Sequence, residues 1–541
     1  MKFLFSAHKA TQRFLNSQGY RLHGGYRRRF FHASNPIGLS KSYQMRSTSI
    51  YTGHQCYSTS TIQDAAESSN RLAIEVLVHY YHCRLPNSNK IENYINNVDL
   101  EIISTETVKP SSPTPHHRRT FNFSIIDQVM YDVYMPSIFF FPNTDDKASV
   151  TDVVTKRLKH LKESLSETLT RFYPLAGKIM DNLHIECNDE GIYFREARVN
   201  QTLEDFIHHP DDERVRELMP DKPYTAESSI GNYVIGIQVN IFTCGGIGLS
   251  SSASHKIFDG QSFSTFMKAW TTTARGSPKI ISPSFVASKI FPSNPCFNFP
   301  LSPKLLATKM LRTKRFVFNS TALAMLKAQL VASASSTHPP TRTEATSVVI
   351  WKAAAKAASK VRPFGPQSPH ALLSLVNIRQ RASPPLPKES IGNLIATAGV
   401  ICFPHGQLDL PTMMGDLRES ITRIDSDHIE SQKGVKGHET FIEVLQRLNQ
   451  LMDVTAEGNC LAATSLLNSG MYDLDFGWGK PIWFYVMNPR VSKTVALNET
   501  LKDGGVEAIV TLSPDEMEIL ERDSELLSYA TVNPSPLRFV H

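Results

Sequence analysis

The strongest chemical signal in the chain is His255-Lys256-Ile257-Phe258-Asp259-Gly260. It falls where a strand pattern, Ile247 to Ser254, gives way to a helical pattern from about Gly260 to Arg275. A histidine at a strand end can project into a cleft and take a proton from a substrate. Imidazole suits that task because it titrates near the working pH. Asp259 stands where it can cap the following helix, or hold the turn by pairing with an arginine. Spacing alone does not decide the matter. His208 to Asp212 repeats the pattern in an acidic loop with no glycine after it, and the plainer reading of His255 is a satisfied structural histidine.

A second cluster is Asp475-Phe476-Gly477-Trp478-Gly479-Lys480-Pro481. Asp-Phe-Gly also occurs in protein kinases, where the aspartate holds magnesium. Here no His-Arg-Asp catalytic loop and no Gly-x-Gly-x-x-Gly loop accompanies it, so the kinase reading fails. A Gly-Trp-Gly run suits a tight, packed turn better than a reaction. Covalent catalysis has little support. There is no Gly-x-Ser-x-Gly elbow, and Cys244 reads as a small core residue at an apolar strand end. No His, Cys, Asp and Glu spacing suits a metal site.

The elements that must position these residues alternate between strands and helices. Residues 151–172 carry Val154, Leu158, Leu161, Leu165 and Leu169 along one helical side, and the run ends at Tyr173-Pro174. Ile185 to Phe194 reads as a hairpin around Asn188-Asp189-Glu190-Gly191. Tyr233 to Phe242 and Ile247 to Ser254 read as strands joined at Gly245-Gly246. Six prolines between residues 276 and 310 suggest a crossover linker. Beyond it come a strand from Lys314 to Phe318, a helix through Val331 that Asn319 or Ser320 could cap, and a helix introduced by Thr341-x-x-Glu344 with capping-box spacing.

Composition fits an ordinary globular protein: 541 residues, 41% hydrophobic and 20% charged, with no apolar run long enough to span a bilayer. Seven scattered cysteines without Cys-x-x-Cys spacing argue against a disulfide framework and for a reducing compartment. The net charge of +6 is misleading. Residues 1–63 hold nine Lys or Arg and no acid, and taking those nine away leaves −3 for residues 64–541. The body is slightly acidic, so no nucleic-acid surface is implied. The basic, Ser-rich start resembles an organellar transit peptide, with Arg29-Phe30-Phe31-His32-Ala33-Ser34 as a processing site. An unstructured tail and a first exon of no function are the alternatives.

Taken together and in order, the two motifs resemble the plant acyl-CoA-dependent acyltransferases of the BAHD family. Further matches are Ser111-Ser112-Pro113-Thr114-Pro115, Tyr173-Pro174-Leu175-Ala176-Gly177, Cys244-Gly245-Gly246, Val376-Asn377-Ile378-Arg379, Gly392-Asn393 and Asp503-Gly504-Gly505-Val506-Glu507-Ala508. The resemblance runs from about Leu100 to the end of the chain. Tyr472-Asp473-Leu474-Asp475 and the Ser-Ser-Pro-Thr-Pro start are most similar to the vinorine-synthase-like branch of alkaloid and alcohol acetyltransferases.

The resemblance implies a chloramphenicol-acetyltransferase-like α/β fold: two similar-sized domains with mixed sheets and flanking helices, and an active-site channel at their interface. The expected parts are an extension over residues 1–98, disordered or transit-peptide-like; a first domain, 99–280; a linker, 281–310; and a second domain, 311–541. It implies His255 as general base, Asp259 as an orienting residue paired with Arg379, and Asp475, Phe476, Gly477, Trp478 and Gly479 as structural. The expected co-substrate is acyl-CoA, acetyl-CoA by branch, and the expected partner is a small-molecule alcohol. No metal, nucleic acid or membrane is expected to take part. For the CoA phosphates the best candidate is Thr341-Arg342-Thr343 at a helix start, where free N–H groups favour anions; Lys314 and Arg315 are weaker. The family implies a cytoplasmic monomer, with import by residues 1–63 as the alternative. A non-catalytic binding member is the rival from another class, and a hydrolase a third option. The 2-oxoacid dehydrogenase acyltransferases share the His motif, but carry it near the C-terminus behind a lipoyl domain absent here.

Overall fold

The computed structural model describes residues 50–52, 55–57 and 98–539, except 146–147, 222–227, 298–309, 333–338, 362–367, 405–407, 456–458 and 490–492. The chain divides into two units, Met1–Ile95 and Asn96–His541. The first is described only at an antiparallel pair, β1 (Ile50–Thr52) with β2 (Gln55–Tyr57). The rest of the transit-like segment expected over residues 1–63 lies outside the described residues.

The second unit opens with β3 (Leu100–Val108), β4 (Thr120–Asn122), α1 (Ile125–Val129), β5 (Tyr134–Phe141) and α2 (Val150–Arg171). Then come β6 (Lys178–Ile179), β7 (His184–Glu186), β8 (Ile192–Val199), α3 (Leu203–His208) and α4 (Asp212–Glu217). The hairpin β9 (Ile235–Phe242) and β10 (Ile247–Ser254), α5 (Gly260–Ala274) and the short α6 (Ala287–Ile290) complete this half. The other half comprises β11 (Arg312–Phe318), α7 (Ser320–Ala332), α8 (Arg342–Val361), β12 (His370–Asn377), β13 (Ile395–Cys402), α9 (Leu410–Thr422), α10 (Ser426–Glu430) and α11 (His438–Asp453). It continues through β14 (Cys460–Ser465), β15 (Trp483–Val486), β16 (Thr494–Glu499), β17 (Val506–Leu512), α12 (Pro514–Leu520), α13 (Ser524–Leu527) and β18 (Thr531–Val532).

Two mixed sheets carry this unit. One has the order β15-β5-β10-β9-β8-β3 and the other β13-β12-β14-β16-β17-β11-β18. A small sheet, β4-β7-β6, stands apart. The hydrophobic stripe of α2 explains its seat. Val154, Leu161, Leu165 and Leu169 are buried, and with Phe266, Met267 and Trp270 of α5 they cover Phe139 and Phe141 on one face of the six-stranded sheet. Ser149 caps the start of α2, and Pro174 cannot extend it. The opposite face of the sheet, with Ile138, Phe140, Trp483 and Tyr485, packs against α3 and against Ala496 and Ile509 of the other sheet. Each large apolar side chain fully buried this way stabilises the fold by about 1.5–3 kcal/mol.

Three expectations need correction. Ile185 to Phe194 is not a hairpin. The turn is present, with Asp189 at φ 60 and Gly191 at φ 100, but β7 pairs with β4 and β6 while β8 pairs with β3 and β9. The turn signal is local, whereas the strands' hydrogen-bond partners come from far along the chain. Cys244 is exposed rather than a core residue, because the chain has already turned after β9. The Pro-rich crossover also has more structure than a linker. It contains α6, and it is tied down where Ile125 N donates to Phe291 O at 3.1 Å and Ile391 N donates to Ser284 O at 2.9 Å. A further point was not visible in the sequence: β15, from the second half of the chain, forms the edge strand of the first sheet beside β5.

Candidate active site

His255 follows the last residue of β10, and its main chain is held from two directions. Its N–H donates to Val133 O at 2.9 Å, just ahead of β5. Its carbonyl accepts from Asn393 Nδ2 at 2.8 Å, from the connection between β12 and β13. Ring atom Nδ1 is buried without a partner in hydrogen-bond geometry. The side chain as a whole is only half-buried, which leaves Nε2 as the nitrogen a substrate hydroxyl can reach. Burial pushes the imidazole below the ordinary histidine value; Asp259 and Asn393 pull the other way, and Lys256 adds to the lowering. The lowering favours the neutral ring, the form able to accept a proton.

Asp259 does not face this task. Its Oδ1 accepts from Ser262 N at 2.8 Å, which caps α5, and from Arg379 Nη2 at 3.0 Å. Its Oδ2 accepts from Arg379 Nη1 at 2.7 Å and from Leu394 N at 3.0 Å. Burial alone would raise this carboxyl, but Arg379 and the hydrogen bonds outweigh that and hold it below the usual carboxylate range. Arg379 is 1% exposed and also donates to Ser262 Oγ, Ser390 O, Gly392 O and Asn377 Oδ1. The pair clamps the His-containing turn of one half of the chain to residues 390–394 of the other.

Two residues that matter here were not singled out as site residues from sequence. Asn393 spans Asp127 and His255: its N and Nδ2 donate to Asp127 Oδ1 at 2.6 and 2.9 Å, beside the bond to the His255 carbonyl. Asp127 is fully buried and also accepts from Ser124 N and Ser124 Oγ, completing a capping box at α1. Burial raises its carboxyl despite these bonds. The Ser124-x-x-Asp127 spacing is the local signal that marks this helix start, but nothing in it points to its second use, 266 residues away.

Gly392 adopts φ +122, and a Cβ there would lie 2.9 Å from Ala287 Cβ. Gly392→Ala is expected to cost about 1–3 kcal/mol through backbone strain and to lower activity by shifting Asn393. Thermal unfolding beside a turnover assay checks both, and an unchanged melting temperature would refute it.

The Asp475–Gly479 segment is engaged elsewhere. Asp475 Oδ1 accepts from Gly477 N and Gly479 N at 2.7 and 3.0 Å, closing a turn in which both glycines have positive φ. Phe476 is wholly buried between Trp270 and Phe141, with centroids at 4.9 and 5.8 Å. Trp478 stacks on Phe476, with Arg157 over its ring at 5.5 Å. The segment docks on α2 and α5 and feeds β15 into the first sheet.

The phosphate candidates are occupied by protein groups. Thr341 and Glu344 cap α8 reciprocally: Thr341 N donates to Glu344 at 2.7 Å and Glu344 N to Thr341 Oγ1 at 3.1 Å. Arg342 donates to Glu499 at 3.0 Å, Asn468 at 2.9 Å and Gly504 O at 3.1 Å, and Thr343 Oγ1 lies 3.2 Å from Ser465 Oγ. Lys314 pairs with Glu521 at 3.0 Å, and Arg315 is buried against Glu507 and the Trp483 ring. Among the described residues no group of three His, Cys, Asp or Glu side chains could hold a metal ion, and no helix is long and apolar enough to cross a membrane.

Comparison with known proteins places this geometry in context. The sequence model of the Transferase family matches residues 98–527. A limonoid 7-O-acetyltransferase of Citrus sinensis is 37% identical over 462 residues, which is 81% of this chain and all of that protein. A 17,18-epoxy-17-hydroxycur-19-ene N-malonyltransferase of Strychnos nux-vomica is 32% identical, covering 80% of this chain and 91% of its own. The crystal structure of vinorine synthase superposes with a TM-score of 0.69 at 32% identity, over 80% of this chain and 98% of that one.

Proposed function

The chain belongs to the Transferase family of acyl-CoA-dependent acyltransferases, known as BAHD, and on that premise we propose that His255 is the general base of an O-acetyl transfer. The observation that carries the proposal is a half-buried imidazole held by its main chain, with Nδ1 buried and Nε2 left to the substrate. Nε2 takes the proton of an acceptor hydroxyl as the oxygen bonds to the thioester carbonyl carbon. The tetrahedral adduct collapses, the C–S bond breaks, and the proton passes from imidazolium to the departing thiolate. An alcohol does not ionise at neutral pH, so a positioned base is needed. Asp259 and Arg379 keep the turn in place and do not touch the reacting atoms. Asp475, Phe476, Gly477, Trp478 and Gly479 seat β15.

The relatives are enzymes, and the His and Asp of the motif are both present, so a non-catalytic role is set aside. The acceptor is proposed to be a hydroxyl of a plant specialised metabolite, an alkaloid or a related polycyclic alcohol, and the donor acetyl-CoA. The two substrates would enter a channel between the halves from opposite sides. We further propose a monomer in the cytoplasm. Sedimentation reads the mass, and a fluorescent fusion with and without residues 1–63 reads the compartment.

The test is free-thiol release by the full chain with acetyl-CoA or malonyl-CoA and a panel of alkaloid and triterpenoid alcohols. Release that needs both acetyl-CoA and an alcohol is expected. Release independent of any acceptor would mean a thioesterase instead.

Because the base works unprotonated and its pKa is lowered, kcat/KM is expected to fall on the acid side with a midpoint below 6.5. A profile that turns over well above 6.5 contradicts this. For CoA, Arg342 remains the proposed phosphate contact, exchanging Glu499 for the ligand. Arg342→Ala is then expected to raise the KM for acyl-CoA several-fold and leave that for the alcohol unchanged. An equal effect on both substrates would reduce Arg342 to a structural role.

A further inference from the structure

Lys256, next to the base, is a lysine where lysines seldom lie, at 8% exposure. Its Nζ donates to Gln128 O at 3.1 Å and Asn182 Oδ1 at 2.8 Å. Neither partner is loose. Gln128 exchanges two hydrogen bonds with Asn294 of the crossover, at 2.8 and 3.2 Å. Asn182 sits between β6 and β7, where Asp181 accepts from Leu183 N and His184 N. Two carboxylates face the ammonium, Asp127 from α1 and Asp132 from the segment before β5. Asp132 is itself engaged with Ser228 Oγ at 2.6 Å and Ser229 N at 2.9 Å.

A buried ammonium with two hydrogen bonds and no direct ion pair is costly, and an apolar side chain of similar length would fill the space without that desolvation. We propose that Lys256 is a positioning residue for His255: its ammonium braces the base-bearing turn against α1 and the β6–β7 turn and keeps a positive charge beside the imidazole. The inference rests on His255 being the base. Burial pushes the lysine down from its usual range while Asp132 and Asp127 hold it up. Around the imidazole the charged groups are Lys256 and Asp259, the latter neutralised by Arg379, with Asp127 reaching it through Asn393.

Lys256→Met removes a cation and leaves Asp127 and Asp132 uncompensated; both changes favour imidazolium. The acid limb of kcat/KM is expected to move to higher pH, so activity on that limb falls several-fold more than at pH 8. Lys256→Arg keeps the charge and is expected to keep the limb near its original position. Asn182→Ala frees one end of the brace and is expected to lower kcat while the KM for acyl-CoA stays unchanged; it stands in if Lys256→Met does not fold. An unmoved limb in Lys256→Met, or unaltered kcat in Asn182→Ala, overturns the inference. His255→Ala separates the two readings. A fully active His255→Ala chain defeats the base itself, whereas an inactive one beside an unmoved limb in Lys256→Met defeats only the role of Lys256.

Discussion

Replacing His255 with Ala is expected to lower kcat for acyl transfer by about 10²–10⁴-fold, the range a positioned general base supplies. That corresponds to about 3–5 kcal/mol of barrier. The loss should fall on kcat and not on the KM for acyl-CoA, because the ring takes and returns its proton only in the chemical step, after both substrates are bound. The fold should survive. Nδ1 has no partner in hydrogen-bond geometry, and the contacts that hold residue 255 in the turn, to Val133 and Asn393, are made by its main chain. His255→Gln, which keeps bulk and polarity but cannot take the proton, should be as inactive as His255→Ala. Turnover within ten-fold of the original chain in either variant would remove His255 from the chemistry.

Asp259→Ala should be the most destabilising single change at the site, by about 3–5 kcal/mol, because it leaves the Arg379 guanidinium buried without its counter-ion. The same change strips the cap from α5 and the partner from Leu394 N. Against a total stability of about 5–15 kcal/mol this is a large fraction of what keeps the chain folded. Asp259→Asn keeps an acceptor for the cap and should lose less. Replacing Asp259 and Arg379 together should cost less than the two single losses combined, because no buried charge is stranded. Chemical denaturation measures all four. If Asp259→Ala kept the original stability and still lost activity, the aspartate would belong to the chemistry and the clamp reading would fall.

The elements around the site were legible where local rules decide them. The hydrophobic stripe of α2, the Gly245 turn between β9 and β10, the start of α5 at Asp259 and the capping box at Thr341 are written within spans of a few residues. Asn319 likewise accepts from Ala322 N at 2.8 Å at the start of α7, one of the two caps expected there. A cap or a period can be read from sequence because the partners are neighbours. The His-Asp motif and the Asp-Phe-Gly-Trp-Gly segment identified the family for the same reason, since each is a short string.

What the sequence could not say is who pairs with whom across long separations. The expected hairpin at Ile185 to Phe194 failed because a turn signal does not specify which sheet each strand joins. Nor does β15 announce that it will leave its own half of the chain for β5. At the site the same limit applies. The sequence by itself determined a histidine at a strand end, an aspartate at a helix start, and the family to which they belong. Only the tertiary structure decided that Asp259 turns to Arg379, that Asp127 holds Asn393 against the His255 main chain, and that Lys256 is buried. The reason is physical. A buried polar group must find a partner or lose about 1–3 kcal/mol, and at this site those partners lie up to 266 residues away, brought together by packing that no local pattern encodes.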